Sequence, residues 1–202
     1  MAKSRRIKET ILEEAFKLFL SKPYDKVTYT ELENATGFSR GAILHHYRKK
    51  IMLFEEVIEK YLLRDNSVFD LYNAQTWISV RSFIHITCDW LEDRKRQYKQ
   101  MGAESYCKAL VNLTLQGTFF CPEAIKKAFE FSARENGIWT DILRHGIESG
   151  ELHKDTDIAF IARYIQYLCY GSIFMGSFRP EGGDVVFLRK QLLYIYDTIK
   201  SS

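Results

Sequence analysis

The chain has 202 residues, 46% of them hydrophobic, enough for a real core in one mid-sized unit or in a small unit fused to a larger one. Its formal net charge is only +3, but residues 1–50 hold 11 Lys/Arg against 6 Asp/Glu and the remainder is slightly acidic, so a polyanion partner belongs at the N-terminal end. No run of about 18 apolar residues without charge occurs, and MAKSRRIKET lacks an apolar signal region; no membrane partner and no export are expected, and the cytoplasm is the expected location.

The first predicted helix covers 5–21. Ile7, Ile11, Leu12, Ala15, Phe16, Leu18 and Phe19 fall on one face, and Ser21-Lys22-Pro23 ends it. Thr28, with Glu31 three residues on, reads as a capping box opening a short second helix that stops near Thr36-Gly37. Ser39 caps a third helix of about two turns through RGAILHHY. A fourth starts near Ile51, with Leu53, Phe54, Val57, Ile58, Tyr61 and Leu62 inward. The polar stretch 64–75 reads as a junction. Beyond it, helices are expected near 77–100, 103–116, 123–149, 155–178 and 184–200, punctuated by Gly102, by Gly117 with Pro122, by Gly150 and by residues 179–183. Alternating β-branched runs with Asn-Gly turns are absent, so no sheet is expected.

Four cysteines, Cys88, Cys107, Cys121 and Cys169, show no C-x-x-C spacing and no zinc-finger histidines. They read as reduced, buried thiols, and no metal or cofactor is expected.

The informative stretch runs from Val27 to Leu53. Two short helices joined by a Gly-containing turn, with Leu32, Ala35, Ile43 and Tyr47 inward, would project the face carrying Arg40, Ala42, His45 and His46 outward. Such a helix fits the DNA major groove, although a generic helical hairpin shares the pattern. Adjacent residues on a helix point about 100° apart, so groove contact suits His45 and His46 better than joint metal binding.

The motif series Thr28, Thr36-Gly37-Phe38-Ser39, Arg40, Gly41, Ala42, Ile43, Leu44, Tyr47 and Lys50, with Leu53 behind, resembles the TetR family of transcriptional regulators over residues 5–62. The resemblance implies an all-α fold of about nine helices: a three-helix, helix-turn-helix DNA-binding domain (1–50), a connecting helix and junction (51–75), and a helical ligand-binding and dimerisation bundle (76–202). It implies DNA contacts from Thr28, Ser39, Arg40, Ala42, Leu44, His45, His46, Tyr47 and Lys50. Arg40 would reach a base edge or clamp a phosphate, Ala42 would touch a thymine methyl, and Thr28 and Lys50 would meet phosphates. Arg48 and Lys49 would do the same or simply be solvated. Two positions depart from the family pattern. Leu44 stands where a phosphate-binding Tyr is usual, and Ala42 where Thr or Ser is usual, so one phosphate contact is lost or passes to His45, His46 or Tyr47.

Residues 77–200 are rich in aromatics, which suits a core and, with a few internal polar groups, a small-molecule cavity. His85, Asp89, Trp90, Phe129 and Tyr167 are the ligand-site candidates; the alternative for His85 and Asp89 is an i, i+4 pair at the surface. The helix at 155–178 is apolar nearly all round, so one side is expected to meet a second subunit together with helix 184–200. Ile165, Leu168, Gly171, Phe174, Leu192 and Tyr196 are the dimer candidates. G-x-S-x-G, H-E-x-x-H, P-loop and dinucleotide motifs are all missing, and no catalytic residue is nominated. The expected function is a repressor that binds palindromic operator DNA as a homodimer and is released by an apolar or aromatic effector. The alternative is a helical enzyme or small-molecule carrier with a vestigial helix-turn-helix, and binding to promoter DNA separates the two.

Overall fold

The computed structural model describes residues 2–64 and 78–201. Among these, nine α-helices carry the fold: α1 (Ala2–Ser21), α2 (Tyr29–Thr36), α3 (Arg40–His46), α4 (Lys50–Val57), α5 (Val80–Gln100), α6 (Tyr106–Phe120), α7 (Pro122–Glu148), α8 (Ile158–Gly176) and α9 (Val185–Ile199). A 3-10 turn, Tyr24–Lys26, joins α1 to α2, and α4 runs on as a π-helical turn over Ile58–Leu63. Most of the predicted junction at 64–75, and Trp77 at the start of the next predicted helix, lie outside the described residues. Among the described residues the single extended pairing is a bridge between Leu152 and Lys200, which fastens the C-terminal end to the α7–α8 loop.

Local chemistry accounts for the boundaries. The Thr28 hydroxyl accepts from the Glu31 N–H, while the Glu31 carboxylate accepts from the Thr28 N–H at 2.9 Å, so two orphan donors of α2 are satisfied reciprocally. Gly37 ends α2 at φ 70°, a left-handed conformation that costs glycine least. Ser39, Ser79, Ser105, Asp157 and Asp184 cap α3, α5, α6, α8 and α9 through side-chain oxygens. Pro122 opens α7, where its missing N–H has no helical partner to lose.

α1 packs on α2 and α4 to form the N-terminal head. Ile11, Phe16 and Phe19 of α1 meet Leu32, Ile43, Leu53 and Phe54 in a core that continues without a break into the body. There α5 packs on α9, and α8 packs on α6, α7 and α9. α8 is long and apolar enough by composition to cross a membrane, with a mean hydropathy of 1.2; this qualifies the expectation of no such segment, although Arg163 interrupts it.

Gly117 does not end a helix as expected. It lies inside α6, where an added Cβ would come within 2.9 Å of Ile125 and 3.1 Å of Ile58, so it permits close packing of α6 against α7 and the end of α4. Gly176 is tighter still: a Cβ there would sit 2.5 Å from the Gly183 nitrogen and 2.9 Å from the Cys107 sulfur. Gly176→Ala is therefore expected to lower stability by about 1–3 kcal/mol through overpacking. Gly137→Ala, whose Cβ meets open space in α7, is expected to raise it by about 0.5–1 kcal/mol. Urea unfolding of the two variants beside the parent checks both signs.

Candidate nucleic-acid interface and interior cavity

α3 is held at both ends. Ser39 accepts from the Ala42 N–H, and the Tyr47 N–H donates to the Ile43 carbonyl at 2.8 Å. Ile43 is fully buried and anchors the inner face. Arg40 and His45 are exposed, Ala42, Leu44 and His46 are half-buried, and the two histidine rings meet edge-on with centroids 5.3 Å apart. The Arg40 guanidinium lies over the ring of Tyr29, 4.7 Å from its centroid, and its backbone N–H donates to Glu33 at 2.6 Å. Stacking on an aromatic ring restricts the guanidinium and leaves its edge free to donate. Tyr29 and Glu33 were not among the residues expected here; an aromatic opening α2 beside the loop to an Arg-led helix is the signal that pointed to them.

Three predicted contacts have other duties here. Tyr47 is only 3% exposed and packs in the core against Lys8, so its ring does not reach the surface; burial pushes its hydroxyl pKa upward. The Lys50 ammonium donates to the carbonyls of Tyr24 at 2.8 Å and Val27 at 2.6 Å and lies over the Tyr24 ring, so it pins α4 to the turn before α2. Its desolvation depresses its pKa. The neighbouring Arg48 and Lys49 are exposed and carry the free charge at this corner. Thr28 is exposed, but its hydroxyl and N–H are both engaged by Glu31; the N–H groups of Tyr29 and Thr30 are the ones α2 geometry leaves without a helical partner. Glu31 is in turn held by Lys22, and this hydrogen bond, with those from Thr28, keeps its carboxyl down to about 2.

The body encloses a cavity of about 420 Å³ between α5, α6, α7, α8 and the π-helical end of α4. Trp90 and Phe129, two of the ligand-site candidates, line it with Tyr106, Phe131, Trp139 and Phe174. The other ligand candidates do not. His85 and Asp89 face α9, where Arg189 donates to Asp89 at 2.6 Å and contacts the His85 ring nitrogen at 3.0 Å, so the pair clamps α5 to α9. Tyr167 is exposed on the outer side of α8. The polar groups of the cavity instead include Thr87, Thr114, Ser132, Glu135, Gln166 and Tyr170. Gln166 donates to the Ser132 carbonyl at 2.7 Å, and the Tyr170 hydroxyl donates to Glu135 at 2.7 Å. Burial raises the Glu135 carboxyl to about 7, against the opposing effect of the Tyr170 bond. Part of Glu135 stays accessible, but it lines this apolar cavity, which is why desolvation dominates. Glu135 shares a face with Ala128, Phe131, Ser132 and Trp139 at helical spacing, and an acid on an otherwise apolar face was the signal available in the sequence.

Residues 11–57, the segment that builds the head, match the family model for bacterial regulatory proteins of the tetR family. Over 44 residues the chain is 52% identical to the HTH-type transcriptional repressor Rv1474c of Mycobacterium tuberculosis, a match that spans 22% of this chain and 24% of that protein. It is 21% identical over 188 residues to the HTH-type transcriptional repressor KstR2 of Mycolicibacterium smegmatis, across 84% of this chain and 78% of the other. The solved SmeT–triclosan complex superimposes with a TM-score of 0.75 at 14% identity, over 98% of this chain and 93% of SmeT. Over residues 11–57 the head matches the tetR family, and the fold of the whole is shared with the SmeT complex.

Outside this TetR-family head, the outer surface of the body is unusually apolar. Phe160, Tyr164, Tyr167, Phe174 and Met175 are exposed along one stripe of α8, with Phe178 just beyond its end and Val186, Phe187 and Tyr194 on α9. Of the predicted dimer residues, Gly171 and Phe174 lie on this stripe and Leu168 is half-buried beside it. Ile165, Leu192 and Tyr196 are buried in the core of their own chain and are removed from the candidate interface. The opposite, inward face of α8 carries Ala162, Ile165 and Gln166.

Because the folded Glu135 carboxyl titrates near 7 and an unfolded one near 4.5, the native state binds the extra proton between those values. The stability Glu135 contributes is therefore present at low pH and lost as pH rises through about 7. Unfolding free energies of the parent and of Glu135→Gln, compared from pH 5 to pH 8, are expected to converge at the acid end and to separate at the alkaline end with the variant more stable. A difference that does not vary with pH overturns the assignment.

Proposed function

We propose that the chain is a homodimeric transcriptional repressor that grips palindromic operator DNA with α3 and is released by a small, largely apolar molecule bound between α5 and α8. The observation that carries this reading is α3 itself. It is a two-turn helix fixed by Ser39, Ile43 and the core residue Tyr47, with Arg40 exposed at its start, in the segment that matches the tetR-family model. In this reading residues 1–50 are the DNA-binding head, 51–75 the connection, and 76–202 the effector and dimer unit, acting on DNA in the cytoplasm. Arg40 reads a base edge, Ala42 and Leu44 offer apolar contact, and His45 and His46 lie toward the groove wall. Arg48, Lys49 and the N-terminus of α2 at Thr28 hold phosphates. Ser39 acts through the cap it provides.

Release follows from the course of α4. Leu62 and Leu63 at its end line the cavity, while its beginning is fastened to the head by Lys50. Two recognition helices bind one face of a duplex only at a spacing of about 34–36 Å. A ligand that displaces the end of α4 changes that spacing, and it shifts the equilibrium only by its differential affinity for the two arrangements. The complex of SmeT with triclosan supports a ligand-binding role for the equivalent body.

The test is retention of specific fragments from sheared genomic DNA, followed by titration of variants on the selected sequence. Arg40→Ala is expected to weaken specific binding by about 1–3 kcal/mol, concentrated at one base. Lys50→Ala is expected to lower fold stability by about 1–3 kcal/mol, from two charge-assisted hydrogen bonds, and to leave base preference as it was. A base-selective loss for Lys50 with unchanged stability would reverse the roles.

A second copy of the chain covers the apolar stripe of α8 and α9 in this reading. Gly171 sits in that stripe, and a Cβ added there would meet nothing within 4 Å, so a larger side chain fits the isolated subunit. Gly171→Glu is therefore expected to give a folded monomer in sedimentation equilibrium while the parent sediments as a dimer without DNA. A parent that is itself a well-folded monomer at micromolar concentration contradicts the dimer.

A further inference from the structure

The cavity is strongly asymmetric in charge. Glu135 is the one Asp, Glu, Lys or Arg among its described lining residues. Its carboxylate receives a hydrogen bond from the neutral Tyr170 hydroxyl, and no Lys, Arg or His forms an ion pair with it among the described residues. Arg94 of α5 is turned to the ring of Trp90, 5.5 Å from its centroid, and does not line the cavity. Residues 65–77 contain no Lys, Arg or His at all, so that segment has no counter-ion to offer. A second wall group, the Thr87 hydroxyl, is buried with no hydrogen-bond partner among the described residues, and the Gln166 amide is already committed to Ser132. The lining therefore offers unmatched acceptor capacity and one negative charge; the Arg94 guanidinium, whose buried Nε has no hydrogen-bond partner among the described residues, lies over Trp90 and forms no ion pair with Glu135.

An ionised carboxylate in an apolar enclosure is unfavourable unless a cation shares the enclosure. The walls also suit a cation: Trp90, Tyr106, Phe131 and Trp139 present aromatic rings, whose electron-rich faces attract an ammonium group that has lost its water. Phe129 and Leu115 line the cavity and are exposed, so the apolar walls continue to its mouth. We propose that the cavity binds a monovalent organic cation, an amine or quaternary ammonium on an apolar or aromatic body, with the Glu135 carboxylate as its counter-ion. This inference rests on the reading of the cavity as a ligand site and names the chemical class that site selects.

Three probes of one shape test it: (2-naphthylmethyl)trimethylammonium, its uncharged carbon isostere 2-neopentylnaphthalene, and the anion 2-naphthylmethanesulfonate. Quenching of tryptophan fluorescence reports binding, since Trp90 and Trp139 both line the cavity. The cation is expected to bind the parent at least about tenfold more tightly than the isostere, and the anion to bind more weakly than either. Glu135→Gln should abolish the advantage of the cation and leave the isostere within about twofold of the parent. Tyr170→Phe, which removes the competing donor and leaves the carboxylate in place, should retain the advantage. Equal affinities for cation and isostere in the parent overturn the proposal, as does an advantage that survives in a Glu135→Gln variant with native helical content. Should that variant fail to fold, the ranking of the three probes on the parent still decides.

Adding selected operator DNA separates this inference from the one beneath it. A Glu135-dependent cation advantage without any release of DNA upholds the inference and removes the effector reading. Release of DNA by the isostere as readily as by the cation upholds the effector reading and overturns the inference.

Discussion

Helix α4 belongs to two packing layers at once, and the remaining arrangement depends on that. Its Phe54 ring lies between Phe19 and Tyr24 of the head, with centroids 4.8 and 4.9 Å away. One turn later Ile58 is buried beneath α6, and Leu62 and Leu63 form part of the cavity wall. Tyr61 stacks on Phe16 of α1 at 4.0 Å, and its carbonyl accepts from the Tyr98 hydroxyl of α5 at 2.5 Å. A packed interior is not continuously deformable, so a shift at one end of such a helix is felt at the other. The π-helical turn falls at this crossing, where an extra residue per turn rotates Leu62 and Leu63 relative to the preceding α-helical face. A second fastening runs through Gln116 of α6, which donates to the Phe19 carbonyl at 2.8 Å and accepts from the Tyr24 N–H at 2.6 Å, satisfying groups that the end of α1 leaves open.

Polar residues that sequence pattern offers to a ligand or to DNA are repeatedly used to fasten one element to another. Lys50 ties α4 to the turn before α2, and Arg189 draws His85 and Asp89 against α9. The physical cause is common to both. Lys50 and Arg189 are each part-buried, and a donor withdrawn from water must find a partner in the protein. At the outer side of α3 and the turn that follows it, this division leaves Arg40, Arg48 and Lys49 exposed.

α8 separates the interior cavity from the outer apolar stripe, and some of its side chains serve both. Phe174 lines the cavity and is also half exposed on the outer face. Tyr170 holds Glu135 inside while its ring reaches the surface. Whatever fills the cavity therefore touches residues of the surface that a second subunit would cover, and the two are linked through single side chains rather than through a long path.

The all-helical fold, the helix order and most boundaries were legible in the amino-acid sequence, because these follow from local chemistry. Capping residues, Gly37, Pro122 and a 3.6-residue apolar period act within a few positions of the residues they control. The head was legible too, since the inward Leu32, Ile43 and Leu53 and the outward Arg40 are separated by the helix period alone. What remained was settled by contacts between residues far apart in the chain. Gly117 could be read as a helix end until its neighbour Ile58, 59 positions away, showed it to be a contact point. On α8 both faces are apolar, so periodicity cannot say which one turns inward; packing on α6 and α7 buries Ile165 and leaves Tyr167 outside. His85, Asp89 and Tyr167 fall outside the cavity for the same reason. Whether an i, i+4 pair such as His85 and Asp89 meets a cavity or an arginine depends on a residue about a hundred positions distant, and Glu135 becomes the charged group of the interior only where α8 brings Tyr170, 35 positions on, against it.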